Sequence, residues 1–322
     1  MAEAGLPLFT WTTALTQWSW HTLPIALIVV FGAWYVRRVR RLRRNGGEWP
    51  ISRLAWFVGA LGSYASVTLT SIGTYGPVLF SARAAQVVTL LMITPQFLAH
   101  ALPGRLARDT ATPRNRVRAS RILHSATVRV ITHPFVGVVV LLGMPIALYG
   151  SGWYEASLRA HWLDEFTQVA LLVAGAHYFW TRLQRDPVPK VYPQVVSVAL
   201  TFAEVALDVI VPLAILMSGK LIAYDYYREL GNYAGVSIQA DQFTGAGILW
   251  AVGDLALVPF LCLSMRQMLR RDRALAEIVD RELDERQRGD GLEPASATTR
   301  PWWEDDPDLA ARFRARPSGR EG

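Results

Sequence analysis

The feature that most constrains the fold is a series of apolar runs separated by segments that alternate between arginine-rich and arginine-poor. Seven runs read as membrane spans, at about 21–36, 54–73, 78–102, 130–150, 163–181, 193–217 and 243–265, a helix needing about 20 residues to cross a bilayer. Pro95, Pro145, Pro212 and Pro259 interrupt four of them, which spans tolerate when neighbours re-satisfy the freed carbonyls. Arginines crowd behind the first run (Arg37, Arg38, Arg40, Arg41, Arg43, Arg44) and between the third and fourth (Arg105 to Arg129). They return at Arg182, Arg185 and Lys190, and after the last run at Arg266, Arg270, Arg271 and Arg273. The alternate segments hold only Arg159, Lys220 and Arg228. Cytoplasmic loops collect Lys and Arg, so the expected topology has the N-terminus outside and the C-terminus in the cytoplasm. An odd number of spans requires the same opposition.

The mean hydropathy of +0.21 is modest for such a protein, because the average mixes two compositions. The expected organisation is a membrane domain over 1–266, a charged cytoplasmic helix over 267–288 and a disordered cytoplasmic tail over 289–322. Within that tail, Pro301-Trp302-Trp303-Glu304-Asp305-Asp306-Pro307 reads as a docking peptide. The net charge of +7 sits beside apolar runs, which points to the lipid bilayer and its anionic headgroups rather than to nucleic acid. The N-terminus lacks a basic n-region, so no cleaved signal peptide is expected. Cys262 is the single cysteine, excluding a disulfide framework or a thiolate cluster within the chain. There is no phosphate-cradling glycine loop, no His-Glu-x-x-His and no nucleophile elbow. The expectation is that the chain is not an enzyme.

Several polar residues fall inside the runs, where a charge is costly and faces a partner or a cavity. Arg83 and Gln86 lie near one end of the third. His161, Asp164, Glu165 and Gln168 open the fifth, with His161 and Glu165 on one helical face. Glu204 and Asp208 lie one turn apart in the sixth. Asp241 and Gln242, followed by Gly245, Gly247 and Trp250, open the seventh, with Asp254 deeper. Arg83, Gln86, Glu165, Glu204, Asp208 and Asp254 together form the candidate intramembrane polar site. One reading is a set of interhelical ion pairs; the other is a proton- or cation-coupled solute path. The aromatics Trp153, Tyr154, Tyr224, Tyr226, Tyr227 and Tyr233 read as an interfacial belt or a partner surface. His177 reads as a helix–helix contact.

The blocks Asp241-Gln242-Phe-Thr-Gly245-Ala-Gly-Ile-Leu-Trp250 and Phe80-Ser81-Ala82-Arg83-Ala-Ala-Gln86-Val87, with Met144-Pro145-Ile-Ala-Leu-Tyr149 and His161-Trp-Leu-Asp-Glu165, carry a resemblance. The chain resembles the CtaG-type cytochrome c oxidase assembly factors over about Trp49 to Met265. The resemblance implies a seven-helix protein of the bacterial cytoplasmic membrane, oxidase subunits as partners and copper as cargo. The chain departs from the family where histidines are concerned. Arg83 and Val87 stand where the family block has two histidines, Gly143 where it has another, and Glu165 at the second place of a His-x-x-x-His pair. Arginine cannot ligate and valine offers nothing to copper, leaving His161 as the remaining metal candidate. The expected consequence is an Arg83–Glu165 ion pair in the vacated volume, with Asp208, Glu204 or Asp254 as other partners, and a scaffold role with a degenerate metal site.

Overall fold

The structure, a computed structural model, describes residues 16–183, 194–231 and 235–289, and those residues are helical without a strand. In chain order the helices are α1 (Thr22–Arg44), α2 (Ile51–Thr68), α3 (Ser71–Tyr75) and α4 (Phe80–Val88). A π-helical turn, Thr89–Ile93, joins α4 to α5 (Thr94–Ala101), and α6 (Pro103–Asp109), α7 (Pro113–Leu123) and α8 (Ala126–Ile131) follow. Then come α9 (Pro134–Gly150), α10 (Trp153–Arg159) and α11 (His161–Leu183). The last are α12 (Gln194–Asp208), α13 (Ile210–Met217), α14 (Tyr224–Leu230) and α15 (Ile238–Gly289). The chain divides into a unit up to Arg266 and a second from Gln267. The tail from 290 onward, with its proposed docking peptide, lies outside the described residues.

Five stretches are long and apolar enough to cross a membrane: Thr22–Arg44, Ile51–Tyr75, Phe80–Asp109, Val198–Met217 and Ile238–Cys262. Counted as one broken span, α9 and α10, bent by 70°, make six. The stretch expected to span at 163–181 is α11, which composition keeps out of that set because it carries His161, Asp164, Glu165, Gln168, His177 and Arg182. It packs against α9, α10, α5 and the π-helical turn, and Gln168 and Arg182 are buried in that packing.

The distribution of side chains is that of a protein in an apolar solvent. Val30, Val58, Val139, Val173 and Leu255 are more than half exposed, while Arg83, Gln86, Arg182 and Glu204 are buried. Lipid removes the incentive to hide valine and raises the cost of exposing a charge.

The π-helical turn follows from Pro95. Lacking an N–H, Pro95 cannot bond the Leu91 carbonyl, and the ladder slips, the Thr94 amide reaching back to Thr89 O. Insertions of this kind bend a helix and re-aim its side chains. Gly175 of α11 lies directly against the Leu91 carbonyl and the Pro95 ring, where a Cβ would collide with both. At the far end of α5, Leu102 takes a left-handed conformation (φ 54°) ahead of Pro103, which ends α5 and redirects the chain into α6.

Candidate functional site

Arg83, on α4, is 2% exposed. Its Nη1 donates to Gln86 Oε1 at 2.6 Å, one turn along, and pairs with Asp164 Oδ1 at 2.5 Å. Nη2 reaches Ser157 Oγ of α10 at 3.4 Å. Gln86 completes its own bonding by donating from Nε2 to Val67 O of α2 at 3.0 Å. One guanidinium thereby ties α4 to α10 and α11, and through Gln86 to α2. The partner differs from the expected one: it is Asp164, not Glu165, nor Asp208, Glu204 or Asp254. The cause is helical phase. Successive residues of α11 project about 100° apart, so Asp164 faces α4, supported by Gln168 Nε2 at 3.0 Å. Glu165 faces away and lies 3.4 Å from His161 Nε2.

A second buried pair closes the other end of α11, about 27 Å away along its axis. Arg182 and Glu204 are both 0% exposed, with Nη2 3.4 Å from Glu204 Oε2 and 2.8 Å from Thr201 Oγ1. Tyr178 also donates its hydroxyl to Glu204. The loop-arginine reading of Arg182 overlooked this pair. The available signal was position: Arg182 follows Tyr178 by one turn at the very edge of an apolar run. Glu204 is therefore held by α11, whereas Asp208, one turn further along, lies close enough to Asp254 of α15 for the two carboxyl groups to interact. Each has a buried oxygen without a hydrogen-bond partner among the described residues. Asp208 also borders a cavity of about 220 Å³ whose other walls are apolar, among them Met92, Pro145 and Pro212.

Asp241 and Gln242 have structural tasks that their motif did not announce. Both Asp241 oxygens accept from the first amides of α4, Phe80 N at 2.6 Å and Ser81 N at 3.2 Å. A helix start leaves four amides without intrahelical acceptors, and here α15 supplies the acceptor for a helix 160 residues earlier. Gln242 accepts from Ile222 N at 2.7 Å and donates to Lys220 O at 2.9 Å, pinning the loop ahead of α14. Gly245 lies against the Phe80 ring and Ser81, where a side chain would collide. Trp250 is exposed and takes no part.

The aromatics differ from a simple belt. Tyr154 and Tyr227 are buried and share a 2.8 Å hydrogen bond, and Tyr226 donates to Pro77 O at 3.0 Å. Arg159 grips Glu229 with both terminal nitrogens, at 2.9 and 3.4 Å, linking α10 to α14. Tyr233 lies outside the described residues.

The donor set does not fit a closed copper site. The His161 side chain is 69% exposed, its ring centroid is 5.9 Å from that of His21, and Glu165 is its nearest carboxylate. Among the described residues no three His, Cys, Asp or Glu side chains converge as a metal site would require.

Fold and site together define a helical membrane protein whose interior is cross-linked by buried ion pairs and side-chain caps. The chain belongs to the cytochrome c oxidase caa3 assembly factor (Caa3_CtaG) family, whose sequence model matches residues 33–271. It is similar to an uncharacterised protein of Mycobacterium leprae, 28% identical over 293 residues, covering 88% of this chain and 44% of the relative. Uncharacterised proteins of Mycobacterium bovis and Mycobacterium tuberculosis are each 30% identical over 297 residues, covering 89% of this chain and 44% of theirs. The chain thus spans less than half the length of these curated relatives. No solved structure matches.

Proposed function

We propose that this chain acts in cytochrome c oxidase assembly as a non-enzymatic scaffold of the bacterial cytoplasmic membrane. In this reading it crosses the membrane seven times, α11 included, with its N-terminus outside and its C-terminus cytoplasmic, and contacts oxidase subunits. The observation that carries the reading is Arg83. At a position where the resembling family block has histidine, a buried guanidinium bonds Asp164, Gln86 and Ser157. A fixed ion pair there occupies the volume with a guanidinium, which offers no lone pair to a cuprous ion, and engages the Asp164 carboxylate beside it. Elemental analysis of the protein in detergent after anaerobic Cu(I) loading tests this, with His161→Ala as control. The scaffold reading expects no retained copper. One copper per chain, lost in His161→Ala, would overturn it.

The Asp208–Asp254 pair favours a second reading, a proton- or cation-coupled transporter. Against it, Glu204 is locked to Arg182 and Tyr178, and the cavity beside Asp208 is apolar. Proteoliposomes showing a pH-gradient-driven flux that Asp208→Asn abolishes would put this reading first.

A further inference from the structure

Away from the ion-paired interior, the C-terminal end of α1 and the helices α6 and α7 border a half-open cavity of about 990 Å³. Its wall carries four arginines, Arg38, Arg41, Arg108 and Arg116, against one carboxylate, Asp109. Arg38 is fixed in place by Thr110, Nη1 lying 3.0 Å from Oγ1 and 3.3 Å from the carbonyl. Asp109 is already engaged by Arg105 at 3.6 Å and Arg108 at 3.7 Å. Arg41 and Arg116 make no side-chain hydrogen bond or ion pair among the described residues. The first turn of α7, an eleven-residue helix, opens onto the same space and adds the positive end of its dipole. Such a concentration of cations, in a chain that sits in a membrane, is self-repelling until an anion enters.

Trp180 and Gly104 line this cavity and also a second one, about 400 Å³, between α5 and α11. The second is walled mainly by apolar groups, Leu98, Ala99, Val173 and Ala176 among them. Val173 is 60% exposed, so the groove opens on the flank that meets lipid. A basic chamber and an apolar groove therefore adjoin at Trp180 and Gly104.

We propose that the two cavities form one site for an anionic phospholipid. The phosphodiester sits between Arg41 and Arg116, whose forks suit phosphate oxygens, and an acyl chain lies along the groove beside Ala176. Basic pockets between membrane helices hold such headgroups. The adjacency of chamber and groove favours a lipid over a soluble phosphodiester, which would leave the groove empty.

The test is native mass spectrometry of the delipidated full chain titrated with dioleoyl phosphatidylglycerol. Dioleoyl phosphatidylcholine and the deacylated headgroup, glycerophosphoglycerol, serve as comparisons. Phosphatidylglycerol is expected to bind at least tenfold tighter than either. At about 1 kcal/mol per arginine, Arg41→Gln with Arg116→Gln weakens it about thirtyfold, while the paired Lys variant retains most binding. Ala176→Phe is expected to weaken the lipid and leave glycerophosphoglycerol unchanged. Equal retention of the two lipids, or no loss in the glutamine variant, would overturn the site. Glycerophosphoglycerol binding as tightly as the lipid, or indifference to Ala176→Phe, would overturn the lipid as its occupant.

Discussion

At the scale of single residues, the interior depends on charges that cannot be removed singly. Breaking a buried pair leaves its partner uncompensated, at about 3–5 kcal/mol. Arg83→Ala and Asp164→Ala are each expected to lower thermal stability in detergent by about that much. Arg83→Leu combined with Asp164→Leu should recover much of the loss, whereas Arg83→Leu with Glu165→Leu should not. That contrast identifies the partner. The sequence made Arg83 conspicuous but left Asp164 and Glu165 indistinguishable, because two adjacent carboxylates differ only in helical phase. Two i,i+4 pairs run side by side on α11, Asp164 with Gln168 and His161 with Glu165, and only packing decides which faces inward. Outside the membrane, Arg159 holds the Glu229 carboxyl below its ordinary value. A depressed carboxylate contributes stability present above its unfolded value of about 4.3 and lost as pH falls through the folded one. Protection of α14 against hydrogen exchange is therefore expected to fall below about pH 4, a pH dependence that Arg159→Gln removes. The pair is exposed, so the effect is local.

At the scale of elements, two close approaches set the geometry. Gly175 against Leu91 O lets α11 nest on the π-helical turn, and Gly245 against Phe80 lets α15 reach the start of α4. Gly175→Ala is expected to destabilise by about 1–3 kcal/mol through overpacking, measured by thermal unfolding in detergent. Asp241→Ala removes the acceptor from two α4 amides, a cap loss worth about 1–2 kcal/mol. The proline at 95 was visible in the sequence. Its product, a π-helical turn met by a glycine 80 residues later, was not, since nothing local announces which distant backbone fills the space.

At the scale of the molecule, five of the seven expected runs coincide with helices long and apolar enough to cross a membrane, the broken α9–α10 pair makes a sixth, and α11, expected as a span, falls outside that set. α11 buries Gln168, Tyr178 and Arg182 against protein while Phe166 and Val173 stay exposed, so one polar face lowers the apolar average of the whole helix. The arginine asymmetry predicts sidedness. In a Cys262→Ser background, cysteines placed at Ser120 and Ser237, both exposed, are expected to label from opposite faces of oriented vesicles, Ser120 from the cytoplasmic side. Labelling of both from one side would refute the seven-span arrangement.

The cap that Asp241 places on α4 also imposes an order on synthesis. Ribosomes add about 5–20 residues per second, so a nascent chain holds the start of α4 for about 8–32 seconds before its acceptor emerges. Until then the amides of Phe80 and Ser81 need a surrogate, water at the bilayer surface or an insertase. A chain that ends before residue 241 never receives that acceptor, so the start of α4 stays uncapped in every such fragment.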